Sequence, residues 1–263
     1  MKWTYFIILM VVPWLATYLG SLTAVYLNLK TDRAQGALLG FAGGIMIAAS
    51  VWSLVIPAFE QAGTDFMGIL TVTGGFVGGC LLMLLLDKIV PHQHIDDDTP
   101  EGAPSKLSRP LLLVMAVALH NIPEGVALGV VIAAAASGTS EVSWFGALMF
   151  GVGLALQNFP EGLAVVYPMR QSGMSRKKSH LFGLVASFAE PISAFLGLAL
   201  ASTLSVMAMP LMLSVAAGAM IFIVVEELIP ESQSQCGHKH SHAATYGFLI
   251  GFWIMAVMGA LGT

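Results

Sequence analysis

The sequence predicts an all-α membrane protein of eight helical spans arranged as inverted repeats, with both termini outside the cytoplasm. Three observations carry that expectation. Of 263 residues, 57% are hydrophobic and only 10% are charged, against roughly 25% charged in soluble domains. Eight segments stay apolar over about the 20 residues a helix needs to cross a bilayer core. A polar hexapeptide recurs in two consecutive segments, 37 residues apart at every matched position. With a mean hydropathy of +0.83, a soluble globule of this size could not hide its apolar surface, so lipid is its solvent.

The segments fall at about 4–28, 36–59, 66–90, 110–136, 142–169, 180–203, 208–229 and 244–262, within one transmembrane domain covering 1–263. The first follows Lys2 and runs longer than the ~7–15 residues of a signal peptide's apolar region, without a clear cleavage pattern, so it reads as a span. Pro57, Pro91, Pro110, Pro168 and Pro230 lie at or near segment ends, where a missing amide donor is cheap. Pro13, Pro123, Pro160 and Pro191 lie inside segments and are expected to kink them and to free carbonyls. Cys80 falls in a span and Cys236 in a connection, and together they imply neither a disulfide framework nor a thiolate metal site.

Basic residues set the orientation. Lys30, Arg33, Lys88, Lys106, Arg109, Arg170, Arg176, Lys177, Lys178 and Lys239 all flank the odd-numbered connections, and only Lys2 lies on the other side. Ten against one is a strong positive-inside signal. The two long cytoplasmic connections, 91–109 and 231–243, hold His92, His94, Asp96, Asp97 and Asp98 in one and Cys236, His238, His240 and His242 in the other. Such tracts suit metal collection or a plain solvated loop.

The repeated hexapeptides are His120-Asn121-Ile122-Pro123-Glu124-Gly125 in the fourth span and Gln157-Asn158-Phe159-Pro160-Glu161-Gly162 in the fifth. Positions i, i+1 and i+4 share a helical sector, so each motif presents three polar side chains on one face. Consecutive spans run antiparallel, so the two faces can meet across a pseudo-two-fold axis, as in many transporter substrate sites. Glu190, in the sixth span, adds a third carboxylate. A charged side chain near the bilayer centre costs ~2.5–3.5 kcal/mol on insertion scales. No span interior offers a Lys or Arg, so these carboxylates are either protonated or neutralised by a cation from outside. A lone Asn, Gln or His could merely bridge two helices; a set of this size at repeated spacing points to a bound metal. Imidazole, carboxylate and amide oxygen suit zinc, iron(II), manganese or cadmium, whereas a calcium or magnesium cage would not need the histidine.

With these motifs, the chain resembles the ZIP (zinc- and iron-regulated transporter-like) family, in its bacterial GufA-like branch. The HNxPEG and QNxPEG pair carries the likeness, which extends over the whole chain. The resemblance implies uptake of Zn2+, with Cd2+, Fe2+ and Mn2+ as further substrates, across a bacterial cytoplasmic (inner) membrane by alternating access. It implies a binuclear centre between spans four, five and six. Met46, His120, Glu124, Gln157 and Glu161 would hold the first ion; Asn121, Asn158 and Glu190 the second, with Glu124 and Glu161 bridging. Asn158 stands where some relatives carry aspartate, which lowers the charge of the second site. Ser53 resembles a pathway-lining position, and Glu226 and Glu227 would guide the departing ion or simply cap a solvated helix end. The expected partners are divalent metal ions and the lipid bilayer, without nucleic acid; a homodimer is compatible. An intramembrane metalloprotease is disfavoured, since no His-Glu-x-x-His and no serine in a nucleophile elbow occurs in a span. A metal exporter or a channel would use the same residue chemistry, so those alternatives stay open at this level.

Overall fold

The computed structural model describes residues 2–26, 32–93, 99–138, 142–171, 173–204, 208–236 and 241–262. Eight helices among them are long and apolar enough to cross a membrane: Trp3–Tyr26, Arg33–Ala62, Phe66–Ile89, Leu111–Ser137, Trp144–Gln171, Arg176–Thr203, Met209–Gln235 and Ala243–Gly262. They are numbered as the first to eighth spans. Local chemistry fixes their ends. Asp65 caps the third span by accepting the Gly68 amide at 2.9 Å. Gly138, at φ +67°, closes the fourth in a left-handed turn that a glycine adopts without strain. Lys30, His94, Asp96, Asp97, Asp98, His238, Lys239 and His240 lie outside the described residues.

Two span ends differ from expectation, for one reason. The seventh helix does not stop near residue 229 but continues to Gln235, so Glu231 belongs to the span and Cys236 to its final turn. Likewise Pro57 lies inside the second span. In both spans a π turn, Val51–Val55 or Val224–Leu228, immediately precedes the Ile-Pro pair. Each turn is closed by an i+5 bond, from the Ile56 amide to the Val51 carbonyl and from the Ile229 amide to the Val224 carbonyl. That wider turn shifts the hydrogen-bond register where the proline donor is missing, and the helix carries on. In the sixth span the helix breaks at Phe188, directly before Glu190 and Pro191.

Packing follows an inverted repeat. The first span lies against the fifth and the fourth against the sixth; the second lies against the eighth and the third against the seventh. Exchanging one with six, two with seven, three with eight and four with five maps each pairing onto another. The correspondence extends to residues. Asn158 donates to the Pro13 carbonyl (3.3 Å) and Asn121 to the Ala186 carbonyl (3.5 Å). Gly162 lies against the backbone of Thr17, and Gly125 against that of Glu190. Pro13 and Ala186, Thr17 and Glu190, and Pro57 and Pro230 are all 173 residues apart.

The main core joins the second, fourth, fifth and seventh spans through buried Ile45, Leu54, Leu128, Phe150, Leu154 and Met220. Outward faces are apolar instead of polar: Leu81, Leu85, Ile192, Phe195, Leu196 and Trp253 are all exposed. That inversion suits a hydrocarbon surround.

Candidate metal centre

The repeated hexapeptides meet at the centre of this scaffold. Asn121, Glu124, Gln157 and Asn158 are fully buried, and Glu161, Glu190 and His120 nearly so. Gln157 donates through Nε2 to Glu124 Oε1, and Asn158 donates through Nδ2 to Glu190 Oε2 at 2.7 Å. The fifth-span motif thus supplies both amides to carboxylates on its two neighbours, the fourth and sixth spans, while Asn121 of the fourth donates to the Ala186 carbonyl. The PEG glycines make this approach possible. A Cβ on Gly125 would strike Ser193 and the Glu190 carbonyl of the sixth span; one on Gly162 would strike the Thr17 carbonyl of the first.

The amide donors are spent, and the oxygens are left over. Asn121 Oδ1, Glu124 Oε2, Gln157 Oε1, Asn158 Oδ1, both carboxylate oxygens of Glu161 and Glu190 Oε1 are buried with no hydrogen-bond partner. An unsatisfied buried acceptor costs ~1–3 kcal/mol, and more when charged. Such a surplus of buried acceptors, with no Lys or Arg in any span interior, makes these residues the candidate donor set for a cation.

His120 extends the set. Its Nδ1 lies 2.9 Å from the Ala116 carbonyl, which can only accept, so Nδ1 carries a proton. In the neutral ring Nε2 then offers a lone pair, and it faces Glu227 Oε2 at 3.0 Å. Two acceptors at that distance need a proton or a metal ion between them, and fixing one ring nitrogen on a carbonyl is how proteins aim a histidine ligand.

The remaining predicted positions divide. Glu226 is exposed, whereas Glu227 is buried, so the structure separates the pair. Met46 is fully buried in the apolar core, and its sulfur makes no hydrogen bond to the described site residues. Ser53 sits in the π turn of the second span and lines a narrow cleft of about 20 Å³ with Trp52, Pro57 and Glu60. On the other side, a pocket of about 40 Å³ reaches His120, Glu161 and Glu231 between walls of Leu39, Val117 and Leu228.

Glu231 was missed at the sequence level because it was placed in a loop. Glu227 and Glu231 are four residues apart, and once the helix runs through Pro230 they share one face. Asp87 and Glu101 were also missed. The metal-capable atoms of Asp87, His92 and Glu101 lie within 4.8 Å of one another. His92 repeats the His120 pattern, with Nδ1 on the Val90 carbonyl (2.8 Å) and Nε2 facing Asp87 Oδ1 (3.2 Å). A short antiparallel bridge between His92 and Glu101 holds the two ends of that connection together.

Comparison with known proteins identifies the family. The model of the ZIP zinc transporter family matches residues 90–259. The zinc transporter ZIPB of Bordetella bronchiseptica is 36% identical over 256 residues, covering 94% of this chain and 78% of that protein. GufA of Myxococcus xanthus, also named a zinc transporter, is 32% identical, covering 92% of this chain and 93% of its own. A zinc transporter ZupT of Corynebacterium aurimucosum is 30% identical, with coverage of 94% and 93%. On its motifs, its eight spans and these relatives, the chain belongs to the ZIP zinc transporter family.

Proposed function

We propose that this chain carries zinc into the cytoplasm across a bacterial inner membrane, through a two-ion centre between the fourth, fifth and sixth spans. The cluster of buried, unpartnered oxygens around Glu124, Glu161 and Glu190 carries this reading, and three relatives named zinc transporters support it. One ion takes His120, Glu124, Gln157 and Glu161, with Met46 as a soft fifth donor; the other takes Asn121, Asn158 and Glu190, with Glu124 and Glu161 shared. Cadmium, iron(II) and manganese are accepted by the same N/O donor set.

The path runs from the Ser53 cleft to the Glu231 pocket, with Glu227 and Glu231 receiving the ion as it leaves the centre and Glu226 beyond them. The small size of both openings supports alternating access over an open channel. Basic residues at one end of the bundle support a cytoplasmic assignment for that end and an outside location for both termini. A protease-sensitive C-terminal tag should accordingly be cut from outside intact spheroplasts; protection there, with cleavage only after lysis, would reverse the orientation.

Purified protein in liposomes loaded with a zinc-sensitive dye tests the proposal directly. Saturable zinc entry, inhibited by cadmium and iron(II) but not by magnesium, is expected. If folded, correctly inserted protein moves none of the transition metals, the proposal fails.

Asn158 gives a finer test. Asn158→Asp removes the amide donor to Glu190 and puts a second carboxylate 2.7 Å from the first. Without metal the variant is expected to melt lower than wild type, because like charges meet in a buried site. With cadmium the order should invert, since the second ion gains an anionic ligand and binds roughly tenfold tighter, a change of ~1.4 kcal/mol. Melting curves with and without cadmium check both signs.

A further inference from the structure

At the basic end of the bundle, the first, fifth and sixth spans enclose a cavity of about 240 Å³ lined by Val25, Tyr26, Tyr167, Arg170, Gln171 and Arg176. It is six times the volume of the pocket beside Glu161. Two guanidinium groups reach it from the two sides of one hairpin. Arg170 is in the last turn of the fifth span and donates to the Met174 carbonyl, which braces the connection. Arg176, in the first turn of the sixth, lies 5.8 Å over the Tyr26 ring. Among the described residues no carboxylate pairs with either arginine. A guanidinium has five N–H donors, so one bond to a carbonyl or one ring contact leaves most of each fork facing the cavity.

Two adjacent guanidiniums repel a divalent cation, so this cavity is no part of the metal path. Its chemistry is that of a phosphate receptor: planar forks for bidentate contact with phosphate oxygens, beside tyrosine and glutamine side chains. Its position identifies the source of the phosphate. Tyr26 is 67% exposed at the end of a span, where membrane proteins place amphipathic rings at headgroup depth. Further along the sixth span Leu181 and Val185 are exposed, so the cavity belongs to a helix whose outer face is apolar. Basic pockets between spans on the cytoplasmic side recognise anionic headgroups. We propose that Arg170 and Arg176 form a binding site for the phosphate of an anionic phospholipid in the cytoplasmic leaflet, held between the first, fifth and sixth spans.

The test reads lipid retention, independently of metal flux. Full-length protein in mild detergent is offered phosphatidylglycerol, phosphatidylcholine or inorganic phosphate, and bound lipid is counted by native mass spectrometry alongside Tm. Wild type should retain phosphatidylglycerol over phosphatidylcholine and melt higher with it. Arg170→Gln/Arg176→Gln should lose at least fivefold of that retention. Lys177→Gln/Lys178→Gln removes the same charge from two exposed neighbours outside the cavity and should keep it. Equal retention by the arginine variant, or equal loss in both double variants, overturns the site. Stabilisation by millimolar inorganic phosphate that phosphatidylglycerol does not exceed overturns the lipid assignment. Should the double arginine variant misfold, Arg176→Gln alone, at an exposed position, is expected to lose retention in part and decides the matter the same way.

Discussion

Replacing Glu161 by glutamine is expected to cut zinc flux about a hundredfold while raising the stability of the metal-free protein. The two effects have one cause. Glu161 is 6% exposed, and both of its carboxylate oxygens lack hydrogen-bond partners. Without an ion this is a buried carboxyl with both oxygens unpartnered, whose charged form is costly and whose neutral form must hold a proton; glutamine removes that cost. In the proposed two-ion centre it is the ligand shared by both ions, so the isosteric amide keeps the volume and loses that shared charge. A hundredfold loss corresponds to ~2.7 kcal/mol. Flux into dye-loaded liposomes and melting of the metal-free protein, measured on one preparation, test the pair. Reduced flux with reduced stability would make Glu161 a structural residue; unchanged flux would remove it from the path.

A larger side chain at Gly162 should damage the fold itself. In Gly162→Leu the new Cβ would strike the backbone carbonyl of Thr17 and lie 2.9 Å from the Ser21 amide. Backbone on a neighbouring span cannot swing aside as a flexible side chain can, so the first and fifth spans must separate. Overpacking a dense interior costs about 1–3 kcal/mol or more, and here separation also breaks the bond from Ser21 Oγ to the Gly162 carbonyl (3.2 Å) and moves Asn158 from Pro13. Loss of monodisperse protein, or a drop in Tm of many degrees, is expected, together with loss of flux. Gly78, whose Cβ would meet nothing within 4 Å, is the matched control: Gly78→Leu should fold and transport as wild type.

Length and apolarity made the eight spans legible, because a bilayer requires both and little else produces them. The hexapeptide pair was legible because polar groups at repeated spacing stand out against an apolar background. Helix continuity through Pro57 and Pro230 was not. A proline near the end of an apolar stretch reads as a stop, and nothing in the local sequence announces the π turn that carries the helix past it. Glu231 was lost with that misplaced end. Asp87 and Glu101 were hidden for a different reason. They flank opposite ends of a connection, and only its folding back, with His92 bridged to Glu101, brings them together. Antiparallel geometry predicts the inverted relation of the two motifs in the fourth and fifth spans, but not which spans of the two outer triplets pack together. The residue-level register appears in the sequence only as scattered recurrences after 173 residues, such as Ile-Pro and the glycine pairs Gly74/Gly247 and Gly78/Gly251.

That register has a consequence for direction. A strict dyad would give the two sides of the membrane identical doors. Read at the 173-residue offset, Glu190 is matched by Thr17, Glu226 by Ser53, Glu227 by Leu54 and Glu231 by Ala58. At these four positions the backbone plan is duplicated and the charge is not. The inversion sends matched residues to opposite sides, so the anionic member of each pair falls on the half built from spans six to eight and the neutral member on the other. On the path proposed above, the seventh span offers carboxylates at Glu227 and Glu231 where the matching positions of the second span, Leu54 and Ala58, are apolar. The duplicated frame is thus uneven in charge: these four acids fall on the copy built from spans six to eight, and Glu60 of the second span, matched by Gln233, is set the other way round.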